Sequence, residues 1–215
     1  MQVTASGAWT VGAASAGLVL GTVASGLTRR FLRRDRVLAG SWWLGAALTA
    51  AVLGLLAWRV GARGELVVYG FVAVLAVPLA VIDWCEHRLP RALVYPQLAG
   101  ACVGFTVLSI VRSEAAPGVR ALGALVAVGA LFLVLAVVSD GGVGAGDLSV
   151  AAVIGVVTGW SGWPEVAGAL LVASVLALIL LAVPSARRRD ERGGLVVPFG
   201  PCLFVGAFIM LTLGG

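Results

Sequence analysis

The sequence contains no lysine and little charge of any kind. Asp, Glu and Arg together make up 12% of its 215 residues, about half the share usual in a water-soluble domain. This excludes an ordinary soluble globular domain anywhere along the chain. All 15 basic residues are arginine. They sit in short loops between apolar runs, so the net charge of +5 carries no nucleic-acid signal and no nucleic-acid partner is expected. The three cysteines, Cys85, Cys102 and Cys202, form no Cys-x-x-Cys pair, which argues against a disulfide framework or a cysteine-type zinc site. There is one histidine, His87, and no metal or cofactor is called for. Internal repeats and low-complexity linkers are also missing. The first ten residues, "MQVTASGAWT", have no positive charge ahead of the apolar run, so the first segment is expected to stay as a span and not to be cleaved.

Apolar residues account for 60% of the chain and recur in runs of about the length needed to cross a hydrocarbon core of ~30 Å. The expected fold is therefore all-α: a polytopic protein of the lipid bilayer with about eight transmembrane helices. The spans are read at 8–27, 41–58, 66–83, 92–111, 119–139, 147–161, 164–183 and 196–213, all in one integral-membrane domain covering 1–215. Arginine placement orients them. Loops one, three and seven carry Arg29, Arg30, Arg33, Arg34, Arg36, Arg88, Arg91, Arg187, Arg188, Arg189 and Arg192, against four arginines on the other side. By the positive-inside rule those loops are cytoplasmic and both termini lie outside. The seven tryptophans fall near predicted span ends, where amphipathic rings prefer to sit.

Of the ten acids, most read as solvated loop charges: Asp35, Asp190 and Glu191 among arginines, and Glu65, Glu114 and Glu165 at the outer edge. Asp83 and Asp147 differ. Asp83 closes the third span in "LAVPLAVIDWCEHRLP", and Asp147 opens the sixth in "GGVGAGDLSV". Two spans separate them, so both reach the same membrane face. An ionisable group at membrane depth is costly, which makes it a functional candidate. Asp147 could also serve as a helix cap. Two facing carboxylates that cannot both ionise share one proton, and such a pair can activate water while protonating a carbonyl. Gly144 and Gly146, flanking Ala145, would allow a tight turn and close backbone approach beside Asp147. In "VPFGPCLFVG", Pro198 and Pro201 bracket Phe199 and Gly200 and would fix a bend at the start of the last span, pressing backbone and a ring towards the carboxylates.

Three features together resemble the type IV prepilin peptidase family of membrane aspartic proteases. They are Asp83 with Leu89-Pro90 following, Gly144-Ala145-Gly146-Asp147 as a Gly-x-Gly-Asp motif, and Pro198-Phe199-Gly200-Pro201. The resemblance covers about residues 65–210. It implies that Asp83 and Asp147 are the catalytic pair. Cleavage of a short basic leader from a prepilin or pseudopilin would follow, at the cytoplasmic face of the cell membrane. Ser149 stands where family members often have a lysine. The loop between the first two spans, about 13 residues without cysteine, lacks the Cys-x-x-Cys domain that accompanies N-methylation in many members, so a peptidase-only form is expected. A presenilin-like intramembrane protease, a proton- or cation-coupled transporter, and an inactive relative are the alternatives. His87, Glu86 and Asp140 are left without a role, and a Cys85–His87 thiol protease is set aside because residues two apart do not face each other on a helix. Oligomeric state is not readable.

Overall fold

The computed structural model describes residues 2–31, 41–139, 144–183, 188–189 and 195–214. Asp35, Asp140, Asp190 and Glu191, with the loop arginines Arg33, Arg34, Arg36, Arg187 and Arg192, lie outside them. Eight helices are present among the described residues: α1 (Gln2–Phe31), α2 (Trp42–Val60), α3 (Glu65–Glu86), α4 (Arg91–Arg112), α5 (Ala115–Val138), α6 (Ala145–Ser161), α7 (Trp163–Ala182) and α8 (Phe199–Leu213). A two-residue antiparallel pair, β1 (Arg188–Arg189) and β2 (Leu195–Val196), precedes α8. The chain is a polytopic all-α membrane protein.

Six helices are long and apolar enough to cross a bilayer; α6 and α8 are the two short ones. At 1.5 Å per residue their 17 and 15 residues span only about 26 and 23 Å. The eighth helix begins at Phe199, not at 196 as the apolar run suggests: Leu195–Val196 form β2, and Pro198 is itself extended at the N-cap. The fifth begins earlier than expected, at Ala115: Pro117 falls in its first turn, where no backbone donor is required.

Two apolar clusters form the interior. One joins α3, α4, α5, α6, α7 and α8 around Leu79, Ile82, Val150 and Leu203. The other joins α2, α3, α4, α5, α6 and α8 around Leu56, Val72, Phe105 and Val156. Burial on this scale holds helices through close packing, since lipid removes most of the hydrophobic advantage of helix association. One buried polar tie adds to it: the Gln97 side-chain amide on α4 donates to the Val72 carbonyl of α3 at 2.8 Å.

At the end of the bundle holding the α3 N-terminus, Glu65 and Arg120 both find partners on neighbouring helices. Glu65, expected as a solvated loop charge, is instead buried and makes two hydrogen bonds to the Arg112 guanidinium. The arginine fork matches a carboxylate in a way that a single donor cannot. Arg120 donates to the Gly159, Trp160 and Ser161 carbonyls, satisfying the orphan acceptors at the end of α6. Trp160 departs from the interfacial pattern of the other tryptophans: it is buried and stacks on Phe105 at 4.7 Å between centroids.

Candidate active site

The Tyr69 hydroxyl and Ser161 Oγ share a hydrogen bond of 3.0 Å. That bond fixes the register of α3 against α6, which run in opposite directions. Asp83 lies fourteen residues beyond Tyr69, and Asp147 fourteen residues before Ser161. At 1.5 Å per residue each is about 21 Å from the pin, so the two acids arrive at the same height. Both meet at Leu89: Gly146, next to Asp147, lies against its Cβ, and Gly200, whose N–H holds Asp83, lies beside its Cδ1.

α3 ends in a sharp reversal. His87 takes the left-handed conformation (φ 52°), and its N–H closes back onto the Asp83 carbonyl at 2.8 Å. The chain then runs through Leu89 to Pro90, which precedes α4. Arg88 braces this turn, donating to Glu86 and to the Phe31 carbonyl at the end of α1, both at 2.6 Å. Leu89 is thereby brought between Gly146 and Gly200.

Asp83 is 4% exposed, and its Oδ2 accepts the Gly200 N–H at 3.0 Å. That donor belongs to the first turn of α8, where backbone N–H groups have no partner within the helix and favour negative charge. Gly200 is required by space: a Cβ there would stand 2.8 Å from Asp83 Oδ2 and 3.5 Å from Leu89 Cδ1. Asp147 is half-buried at the third position of α6, and Gly144 occupies the N-cap. Asp147 is thus not the cap. Its carboxylate accepts the Gly144 N–H at 3.3 Å, the half of a capping box that glycine permits. Gly146 is also required by space, since a Cβ would lie 2.8 Å from that of Leu89.

Leu89 is where the three motifs meet. Its side chain touches the Gly-x-Gly-Asp segment on one side and the Pro-Phe-Gly-Pro segment on the other. Of the remaining motif residues, Pro198 is the buried N-cap of α8 and Phe199 packs on Phe132 at 5.8 Å between centroids. Pro201 lines a cavity that residues of α1, α2 and α3 also wall. Ser149 turns back onto its own helix, donating to the Ala145 carbonyl at 3.1 Å. Neither Asp83 nor Asp147 is in an ion pair among the described residues. In the sequence Leu89 is marked only by its position before Pro90, where the chain must leave the helix. Gln97 and the Arg88 brace were missed, because one polar residue in a span and one arginine in a loop do not name their partners.

This geometry defines a class: a bundle of membrane helices that gathers two acids from distant spans at one end, each held by a backbone N–H. Residues 69–182, just over half of the chain, match the Type IV leader peptidase family, and the chain belongs to that family. The matched stretch includes Asp83 and Asp147 and stops short of Pro198. The chain is similar to the prepilin leader peptidase/N-methyltransferase of Pseudomonas putida, at 31% identity over 161 residues, covering 74% of this chain and 54% of that protein. It is likewise similar to the proteins of the same name from Pseudomonas aeruginosa (30% over 158 residues, 73% and 51%) and Stutzerimonas stutzeri (28% over 159 residues, 74% and 51%). It spans about half the length of these curated relatives. No solved structure matches the chain.

Proposed function

We propose that the protein is an aspartic endopeptidase that removes the short basic leader of a prepilin-like substrate, with Asp83 and Asp147 as the catalytic pair. The observation that carries this reading is the convergence of the two acids, without a cation partner among the described residues, around Leu89 at one end of the bundle. Like charges brought together out of bulk water share a proton. The ionised carboxylate takes a proton from water as the water oxygen attacks the scissile carbonyl carbon. The protonated partner donates to the carbonyl oxygen, and collapse of the tetrahedral species breaks the C–N bond as the amine nitrogen takes up a proton. Gly200 N–H orients Asp83, and Gly144 N–H orients Asp147. Ser149, at the place of the family's frequent lysine, supplies no positive charge, so within this reading the pair works without a cation beside Asp147.

The arginine distribution supports a cytoplasmic orientation for this end of the bundle, with the N-terminus outside. The eight helices pack as one bundle, which supports a single peptidase domain. The loop between α1 and α2 has no cysteine, which supports peptidase activity without N-methylation. The test is co-expression with a prepilin-like protein, followed by mass measurement of the product. A product shortened at its N-terminus, lost with Asp83→Asn and with Asp147→Asn, is expected. Uncut substrate with the unaltered protein, or full cleavage by either variant, would rule the reading out. Incubation with a labelled methyl donor is expected to leave the new N-terminus unlabelled.

A further inference from the structure

The turn that closes α3 is gripped from outside, by a side chain that the chemistry above does not use. The chain reverses within three residues, between the end of α3 at Glu86 and Pro90 at the N-cap of α4. His87 is left-handed there (φ 52°), a conformation that a residue with a Cβ keeps only where its surroundings hold it. Leu89 stands against Gly146, beside Asp147, and against Gly200, whose N–H holds Asp83. A shift of the turn is therefore felt at both acids. We propose that Arg88 is a positioning residue for the catalytic pair: it clasps the turn to the end of α1 and acts through Leu89 and the backbone of Asp83. The assignment rests on the peptidase reading.

Three observations carry it. The first is the form of the clasp. Arg88 Nε donates to Glu86 Oε2 and Arg88 Nη2 to the Phe31 carbonyl, both at 2.6 Å. Those nitrogens belong to one rigid planar group, so a single side chain fixes both acceptors, whereas an ammonium offers one nitrogen. The second is the anchor. Phe31 ends α1, so its carbonyl has no donor within the helix and lies at the pole that favours a cation. Phe31 and Leu89 pack against the same apolar cluster, so the clasp closes on a fixed point. α1 lies outside residues 69–182, the stretch that matches the family, and Arg88 joins it to the site. The third is exposure. The Arg88 side chain is 38% exposed and that of Glu86 only 8%. Removing the arginine thus opens little space in the interior, and the loss falls on the turn more than on the fold. It also strips this cation from Glu86, which lies one helical turn beyond Asp83 on α3. Clasp and charge are separate effects, and experiment divides them.

The test measures kcat and KM for a prepilin-like substrate with the protein in vesicles. Arg88→Ala is expected to lower kcat about 10- to 100-fold, the order that misplaced reacting groups cost. KM should stay within about twofold, since no contact with substrate is removed. Arg88→Lys keeps the charge but not the planar fork, and should still lose about 3- to 10-fold in kcat. Arg91→Ala removes an exposed arginine from the same end of the bundle and should leave both constants within about twofold. Adding Glu86→Gln to Arg88→Ala should restore nothing, because the clasp to α1 is still open. Four results overturn the proposal: an unchanged kcat in Arg88→Ala, a raised KM at constant kcat, a full rate in Arg88→Lys, or an equal loss in Arg91→Ala. Full rescue by Glu86→Gln also overturns it, since Arg88 would then act by neutralising Glu86 and not by holding the turn. Should Arg88→Ala fail to insert, Arg88→Lys decides: a lower kcat at constant KM supports the role, and a full rate removes it. If the unaltered protein cuts no substrate, the peptidase reading itself has failed and the positioning role goes with it.

Discussion

The two ends of the bundle treat charge in opposite ways. At the Glu65 end, each charge buried between helices has its complement: Glu65 has Arg112, and the Arg120 guanidinium covers three carbonyls at the end of α6. At the Asp83 end, two carboxylates are brought together with backbone N–H donors and no ion pair. Pairing lowers the cost of placing charge near lipid and leaves little chemistry. Juxtaposing like charges is unfavourable for stability, and it is the arrangement that proton transfer requires. One end pairs its buried charge, and the other gathers like charges, which the proposed function puts to use.

This comparison breaks most visibly if the acids are exchanged in effect. Asp83→Asn and Asp147→Asn are each expected to lower kcat by about 10³-fold or more, the order expected of a general acid or base, with insertion and thermal stability retained. Glu65→Gln should do the reverse, lowering the melting temperature while kcat stays within a few-fold. A Glu65 variant as inactive as the aspartate variants would erase the distinction between the ends.

A smaller effect is expected from the glycines around Leu89. Gly200→Ala drives a methyl into the Asp83 carboxylate, and Gly146→Ala drives one into Leu89. Each is expected to reduce kcat about 10- to 100-fold, because misplacing reacting groups by an ångström has costs of this order. Adding Leu89→Gly, which removes the Cβ that the new methyl meets, to Gly146→Ala should restore part of the lost rate, and adding it to Gly200→Ala, whose methyl meets Asp83 first, should restore less. Cleavage assays on the four variants check this, and equal rescue in both would show that Leu89 does not separate the two segments.

At the paired end the effects fall on stability alone. Arg112→Ala leaves Glu65 without its main partner and should cost about 1–3 kcal/mol, less than a fully buried pair because the arginine side chain is 35% exposed. Arg120→Ala removes the donors at the end of α6 and should cost about 1–2 kcal/mol. Thermal unfolding in detergent measures both. Glu114→Gln, exposed and in no ion pair among the described residues, should leave stability and cleavage unchanged.

The sequence by itself determined the helical membrane architecture and pointed to the two acids. Both follow from local chemistry: an apolar run of sufficient length has to be a helix in lipid, and a carboxylate at a span end stands out against a chain with so few charges. Legibility ended where an outcome depended on which helices meet. Glu65 and Asp83 are both acids at the ends of α3, and nothing local distinguishes the one that finds Arg112 from the one that finds Gly200 and Asp147. Leu89 became a junction only once α6 and α8 closed on either side of it. The Tyr69–Ser161 bond sets the height of both acids. Such features depend on distances between residues remote in the chain. Those distances are fixed by packing many side chains at once, and no stretch of sequence contains them.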